Sequence, residues 1–247
     1  MVHNMIMEKY RNILCNILDQ ITAEETAKIK DSADIIKNVI ESDGLIYVFG
    51  CGHSHMLSEE TFYRAGGLAC VAPIFYEPLM LHQSAVESSR LEAQPGLYQN
   101  VLKHYAITEN DALICVSTSG INSVPVELAN AVKEAGTPVI GICSYAYKDC
   151  LTHNPLKKHL SEVCSISIDN KVPHGDACLS IEGLPVNMTP VSTVASTFIV
   201  NSILAEAAQL ACQDGFAVPV YLSGNISGGK EYNSRLIQKY RHRITSL

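Results

Sequence analysis

Charge is scarce in this chain: Asp, Glu, Lys and Arg make up 17% of its 247 residues, against roughly 25% in ordinary soluble domains. So sparing a surface implies further area hidden in an oligomer. The charge present has the wrong sign for nucleic acid or anionic lipid, since 18 basic against 25 acidic residues leave a net charge of -7 and no basic face. An anionic ligand must therefore be gripped locally. No CxxC spacing links the nine cysteines, and several lie in apolar runs, where a reduced thiol behaves as a small hydrophobe. This points to a reducing cytoplasm and away from a disulfide framework or zinc ribbon. No apolar run approaches the roughly 18 residues of a membrane span, and MVHNMIMEKYRN has no signal-peptide core. A cytoplasmic protein with no membrane partner is expected. With no repeat, low-complexity tract or linker, residues 1–247 read as one domain, with a helical extension at 1–43 and a C-terminal helix at 229–243.

Five short apolar runs are present: Leu45 to Phe49, Cys70 to Phe75, Ala112 to Val116, Val139 to Cys143 and Val163 to Ile168. Continuous apolar runs of this length suit strands buried on both faces. Helical patterns at 55–64, 97–106 and 124–135 separate most of them, so the fold class is α/β, a doubly wound parallel sheet flanked by helices. Helical spacing also covers the first 40 residues as one long or two shorter helices, with Thr22 and Glu25 spaced as a capping box and Ser42-Asp43-Gly44 as the stop. The third separating helix opens with Ser123 as N-cap and Pro125 in its first turn, and Gly136 ends it. Residues 169–190 hold three Pro and two Gly with little regular pattern, a loop long enough to be functional or flexible. A helix over 191–212 carries so little charge that it must be buried.

Two strand ends carry chemistry. The first closes in FGCGHSH, Phe49 to His55, where Gly50 and Gly52 let the backbone approach a ligand at the carboxyl edge of the sheet. It is no dinucleotide fingerprint, lacking the third Gly, and no Walker loop, lacking Gly-Lys-Ser/Thr. The third closes in Ser117-Thr118-Ser119-Gly120, followed by Asn122 and Ser123. A helix cap needs one hydroxyl or amide; the surplus here suits an oxyanion held without lysine.

The paired loops FGCGHSH and STSGINSVP resemble the two phosphosugar loops of the SIS, or sugar isomerase, domain family, over roughly residues 10 to 215. The match is best to a bacterial branch related to phosphoheptose isomerases that shares GCGHSH, SxSGxNxVPxE and GGxExNxRLxxKY. The resemblance implies a flavodoxin-like three-layer sandwich around a five-stranded parallel sheet, a dimer or tetramer, and a phosphorylated sugar or amino sugar as ligand. It makes Ser117, Thr118, Ser119 and Asn122 or Ser123 the phosphate-side donors, and it sets Cys51, Gly52, His53 and Ser54 around the sugar. Phosphoheptose isomerases run STSGNS, whereas here Ile121 stands inserted before Asn122. Their zinc-binding His and Glu fall on Glu60 and Arg64 of this chain, which removes that site, and no cofactor is expected.

Aldose–ketose isomerisation needs a base for the carbon-bound proton and an acid for the oxygens. Glu87 and Glu92, in HQSAVESSRLEAQPG, are the candidate bases, with ordinary surface carboxylates as the alternative reading. His55 or His53 would assist as an imidazole able to move protons. His55 and Glu59 also stand one helical turn apart, two ligands where a metal wants three or four; His53, or His174 with Asp176, would have to complete the set. Related readings are an etherase or deaminase acting on an amino-sugar 6-phosphate, and a non-catalytic phosphosugar sensor.

Overall fold

A computed structural model describes residues 5–247. Helices α1 (Ile6–Glu24) and α2 (Thr26–Glu41) lead into strand β1 (Ile46–Gly50). The order continues α3 (Met56–Thr61), β2 (Val71–Pro73), α4 (Ala85–Glu92), α5 (Tyr98–Leu102), β3 (Ala112–Val116), α6 (Ser123–Glu134), β4 (Val139–Cys143), α7 (Leu160–Val163) and β5 (Ile166–Asp169). A short antiparallel hairpin, β6 (Ala177–Leu179) and β7 (Met188–Pro190), precedes α8 (Ser192–Gln213) and α9 (Gly229–Tyr240). The main sheet is parallel throughout, in the order β2-β1-β3-β4-β5.

The central strands lie where their composition requires, since every residue of β1, β3 and β4 is buried. Helices α2, α3 and α8 pack on one face, and α4, α5, α6 and α7 on the other. The helix after β1 thus turns to one side and the helix after β3 to the other, which opens a crevice between the carboxyl ends of these neighbouring strands. That reversal is where open α/β sheets take their ligands.

The expected sheet and its three layers are present, and several boundaries differ. Thr22 and Glu25 form no capping box. Thr22 Oγ1 donates to the Leu18 carbonyl, while Glu25 breaks the N-terminal helix in two and buries its carboxylate against Lys28 and Lys171. The strand expected from Val163 begins at Ile166, because His159 and Glu162 form a reciprocal capping box that winds Leu160–Val163 into a helical turn. The stretch at 169–190, read as a loop, contains the β6–β7 hairpin. Asp176 braces it, accepting the N–H groups of Val191 and Ser192 at 2.9 Å each and the Ser192 hydroxyl at 2.6 Å. Although the sequence suggests no apolar span of membrane length, α8 reaches it by length and composition. Here its Ala195, Ile199, Ile203 and Ala207 are fully buried in the fold, where α8 packs on α2. All nine cysteines are unpaired.

Candidate functional site

The first loop starts where β1 can no longer carry side chains. A Cβ on Gly50 would lie 2.6 Å from the backbone carbonyl of Ser54, so only glycine lets the chain fold back on itself here. Gly52 follows with φ +53°, the left-handed region that glycine enters freely. The chain then winds through a 3-10 turn at Gly52–His55 into α3. That turn separates the two histidines. His53 points outward, whereas His55 is buried with Nδ1 donating to the Gly52 carbonyl and Nε2 3.5 Å from Glu59 Oε1. The Nδ1 of His55 is therefore spent within its own turn, while its Nε2 faces Glu59 on α3. Of the groups needed to complete a metal set with that pair, His174 instead stacks on Tyr147 and Asp176 caps α8.

The second loop divides its hydroxyls by task. Ser117 is buried and its Oγ accepts the Gly120 N–H at 3.3 Å, which closes the turn. Ser123 is not the N-cap of α6 but its first residue, and its hydroxyl donates to the His153 carbonyl at 2.8 Å. The inserted Ile121 is absorbed by the same neighbouring segment, for its carbonyl accepts both the His153 N–H and the Asn154 side-chain amide, each at 2.9 Å. Thr118 and Ser119 remain half-exposed, and among the described residues their hydroxyls have no partner. The N-cap is Asn122, which makes no side-chain cap. Its amide donates instead to Glu92 Oε1 at 2.9 Å.

Glu92 thereby holds the second loop from the α4–α6 side and lies beside the first. Its Oε1 holds Asn122, and its Oε2 lies 3.9 Å from where a Cβ on Gly52 would be. Burial pushes its carboxyl above the usual carboxylate range, and the Asn122 hydrogen bond pulls it part of the way back. Glu87 sits differently. Five residues along a helix is a rotation of about 140°, so the two carboxylates diverge, and Glu87 forms a two-pronged pair with Arg90 at 2.5 and 2.9 Å. That pairing holds it below the ordinary Glu value. Cys51 is buried beside Glu92, and burial first, then that carboxylate, pushes its thiol well up. It is a neutral buried thiol rather than a nucleophile.

From the opposite side, the N-terminal turn of α8 closes a narrow crevice against both loops, lined by His53, Ser54, Thr118, Ser192, Thr193 and Ser196. The crevice encloses only about 10 Å³, far below the roughly 300 Å³ at which small-molecule pockets begin. A groove of about 540 Å³ between α3 and α8 adjoins it and shares Leu57 and Thr193. Sequence reasoning missed Ser196 and the Glu92–Asn122 pairing. The signal for the former was the spacing of Ser192, Thr193 and Ser196 along one helical face.

The model for the SIS domain matches residues 9–144, more than half of the chain. The protein belongs to the SIS domain family. Within the matched span lie both loops and Glu92. This SIS protein is 43% identical to a UPF0309 protein of Geobacillus kaustophilus over 93% of its own length and 92% of that protein's. It is 42% identical to a UPF0309 protein of Halalkalibacterium halodurans, over 98% and 97% of the two chains. Among solved structures it resembles a putative phosphosugar isomerase involved in capsule formation from Bacteroides fragilis (TM-score 0.51, 16% identity, 94% of this chain and 97% of that one). It also resembles phosphoheptose isomerase from Neisseria gonorrhoeae (TM-score 0.50, 13% identity, 85% and 97%). At these identities the structural likeness establishes the SIS fold alone.

Proposed function

We propose that this SIS protein binds a phosphorylated sugar and interconverts its aldose and ketose forms. The observation that carries the reading is Glu92, a carboxylate kept basic by burial and held between the two strand-end loops by Asn122. In the mechanism, the Thr118 and Ser119 hydroxyls hold the phosphate at the start of α6, where the helix dipole favours negative charge. Glu92 takes the proton from the carbon next to the carbonyl, leaving an enediol, and returns it to the adjacent carbon. His53, the imidazole that lines the crevice, moves the proton between the two sugar oxygens. Glu87 and His55 are left out of the mechanism because Arg90 and the Gly52 carbonyl already occupy them. The names of similar folds as phosphosugar isomerases agree with this reading. Sparse charge and the exposed apolar side chains of Met5, Met7 and Val186 support a homo-oligomer as the working form.

The test is incubation with a panel of sugar phosphates in heavy water, following deuterium at the carbon next to the carbonyl. The reading expects deuterium to enter at least one substrate together with aldose–ketose exchange. Tight binding of a sugar phosphate with neither exchange nor turnover of any member would replace the isomerase with a sensor.

A further inference from the structure

A second cavity lies beside β1 and β2, walled by the segment between α5 and β3 and by the chain after α9, and it shares no lining residue with the crevice. Its volume of about 380 Å³ falls within the range of small-molecule sites. In its wall is Tyr47, a β1 residue only 3% exposed, whose hydroxyl has no hydrogen-bond partner among the described residues. The contrast with Tyr105, packed edge-on against it, is sharp. The Tyr105 hydroxyl both donates to the Phe75 carbonyl at 2.8 Å and accepts the Phe75 N–H at 2.7 Å. The Tyr47 hydroxyl instead opens onto the cavity, where its donor is available to whatever the cavity holds.

The other polar groups around the cavity show what kind of partner fits. Its two carboxylates are already engaged. Asp111 accepts the Leu45 N–H at 2.7 Å and the Thr108 N–H and hydroxyl at 2.8 Å each. Asp43 is paired with Lys239 at 2.6 Å and Arg243 at 3.2 Å. Donor capacity remains on Tyr47 and Arg243, beside the amide of Asn110 and the hydroxyl of Thr245. Arg243 commits two of its N–H groups to Asp43 and retains the rest of its five, and the rings of His104 and His242 stand at the rim. Burial, then the nearby Asp111 charge, pushes the Tyr47 phenol up to about 12, so it stays an O–H donor throughout the physiological range. Ala72, Pro73 and Ile244 supply an apolar surface.

We propose that this cavity is a second ligand site, for a small organic molecule that presents one oxyanion, carboxylate or phosphate, to Tyr47 and Arg243 and rests its apolar body on Ala72, Pro73 and Ile244. The probes are benzoate, phenyl phosphate and, as the neutral counterpart, benzyl alcohol, each titrated into the full chain while the histidine ring resonances are followed by NMR. Either anion is expected to move the His104 and His242 signals saturably in the millimolar range, and the stronger of the two identifies the head group. Tyr47→Phe, which keeps the ring and its packing, should weaken that binding about five- to tenfold, the loss of one hydrogen bond. The proposal is overturned if neither anion moves His104 or His242 at about 20 mM, or if only His53 responds. Equal affinity for benzyl alcohol, or unchanged affinity in Tyr47→Phe, would overturn it as well.

Discussion

Replacing Glu92 by Gln removes a charge and little else. Gln keeps a carbonyl oxygen to accept the Asn122 amide, which Glu92 accepts at 2.9 Å, and it fills the same volume, so the second loop should stay in place. What disappears is the base. A positioned general base contributes roughly 10²–10⁴ in rate, and deuterium exchange into the sugar phosphate should fall by that factor while affinity for the ligand changes little. Stability should move the other way. Burial raises the Glu92 carboxyl in the folded state above its unfolded value, about 4.3. Between the two values the folded chain holds a proton that the unfolded chain has released, so stability falls as pH rises through that window, and ionised Glu92 destabilises the fold at neutral pH. Glu92→Gln therefore keeps or raises Tm at pH 7 and flattens this part of its pH dependence. Asn122→Ala supplies the companion experiment. Without the hydrogen bond that favours the charged form, the carboxyl climbs further, and the acid limb of kcat/KM moves to higher pH. A Glu92→Gln protein that retains more than about a tenth of wild-type exchange, or an acid limb that moves down in Asn122→Ala, would refute the assignment.

Two further substitutions test the framework that holds the site. Gly50→Ala sets a methyl 2.6 Å from the Ser54 backbone, which cannot give way as a flexible side chain would. A loss of about 1–3 kcal/mol should appear as a lower Tm together with weaker sugar-phosphate binding, and an unchanged Tm would mean the loop path is wrong. Lys171→Met leaves Glu25, 4% exposed at its side chain, and Asp169 without the ammonium that reaches them at 3.0 and 3.1 Å. Removing one partner of a buried ionic cluster is destabilising by roughly 3–5 kcal/mol. Because Lys28 still pairs with Glu25 at 2.8 Å, urea unfolding should show the lower end of that range, and a loss below about 1 kcal/mol would mean the cluster is effectively solvated.

The strands were legible where burial on both faces wrote a continuous apolar run. Ala112–Val116 and Val139–Cys143 match their expected limits residue for residue. Legibility faded where a local contact outweighed composition. The capping box of His159 and Glu162 took Val163 from its expected strand into a helical turn. The β6–β7 hairpin has only three residues per strand, too short to show alternation, and the Asp176 cap that braces it is made with residues 15 and 16 positions away. In the site, the surplus of hydroxyls at 117–119 was readable as a loop that does more than cap. Which hydroxyls were free was not readable, because the partners of Ser117 and Ser123 are set by how the turn closes and by a segment 30 residues on. Glu92 and Glu87 looked alike in sequence and separated only in three dimensions, by helix rotation and by an Asn 30 residues away. His53 and His55 were divided likewise by a 3-10 turn that ordinary helical spacing does not anticipate.

The central claim is that the Thr118 and Ser119 hydroxyls hold the phosphate of a sugar phosphate. Its most direct test is calorimetric titration of the sugar phosphate that the protein binds best, into wild type and into the Thr118→Ala, Ser119→Ala double variant, with the same sugar lacking phosphate as a control. Loss of two hydrogen bonds to a charged group, roughly 1.5–3 kcal/mol each, predicts affinity for the phosphate ester lowered at least a hundredfold, with Tm and the weak affinity for the free sugar unchanged. Equal affinity of both proteins for the phosphate ester would contradict the account.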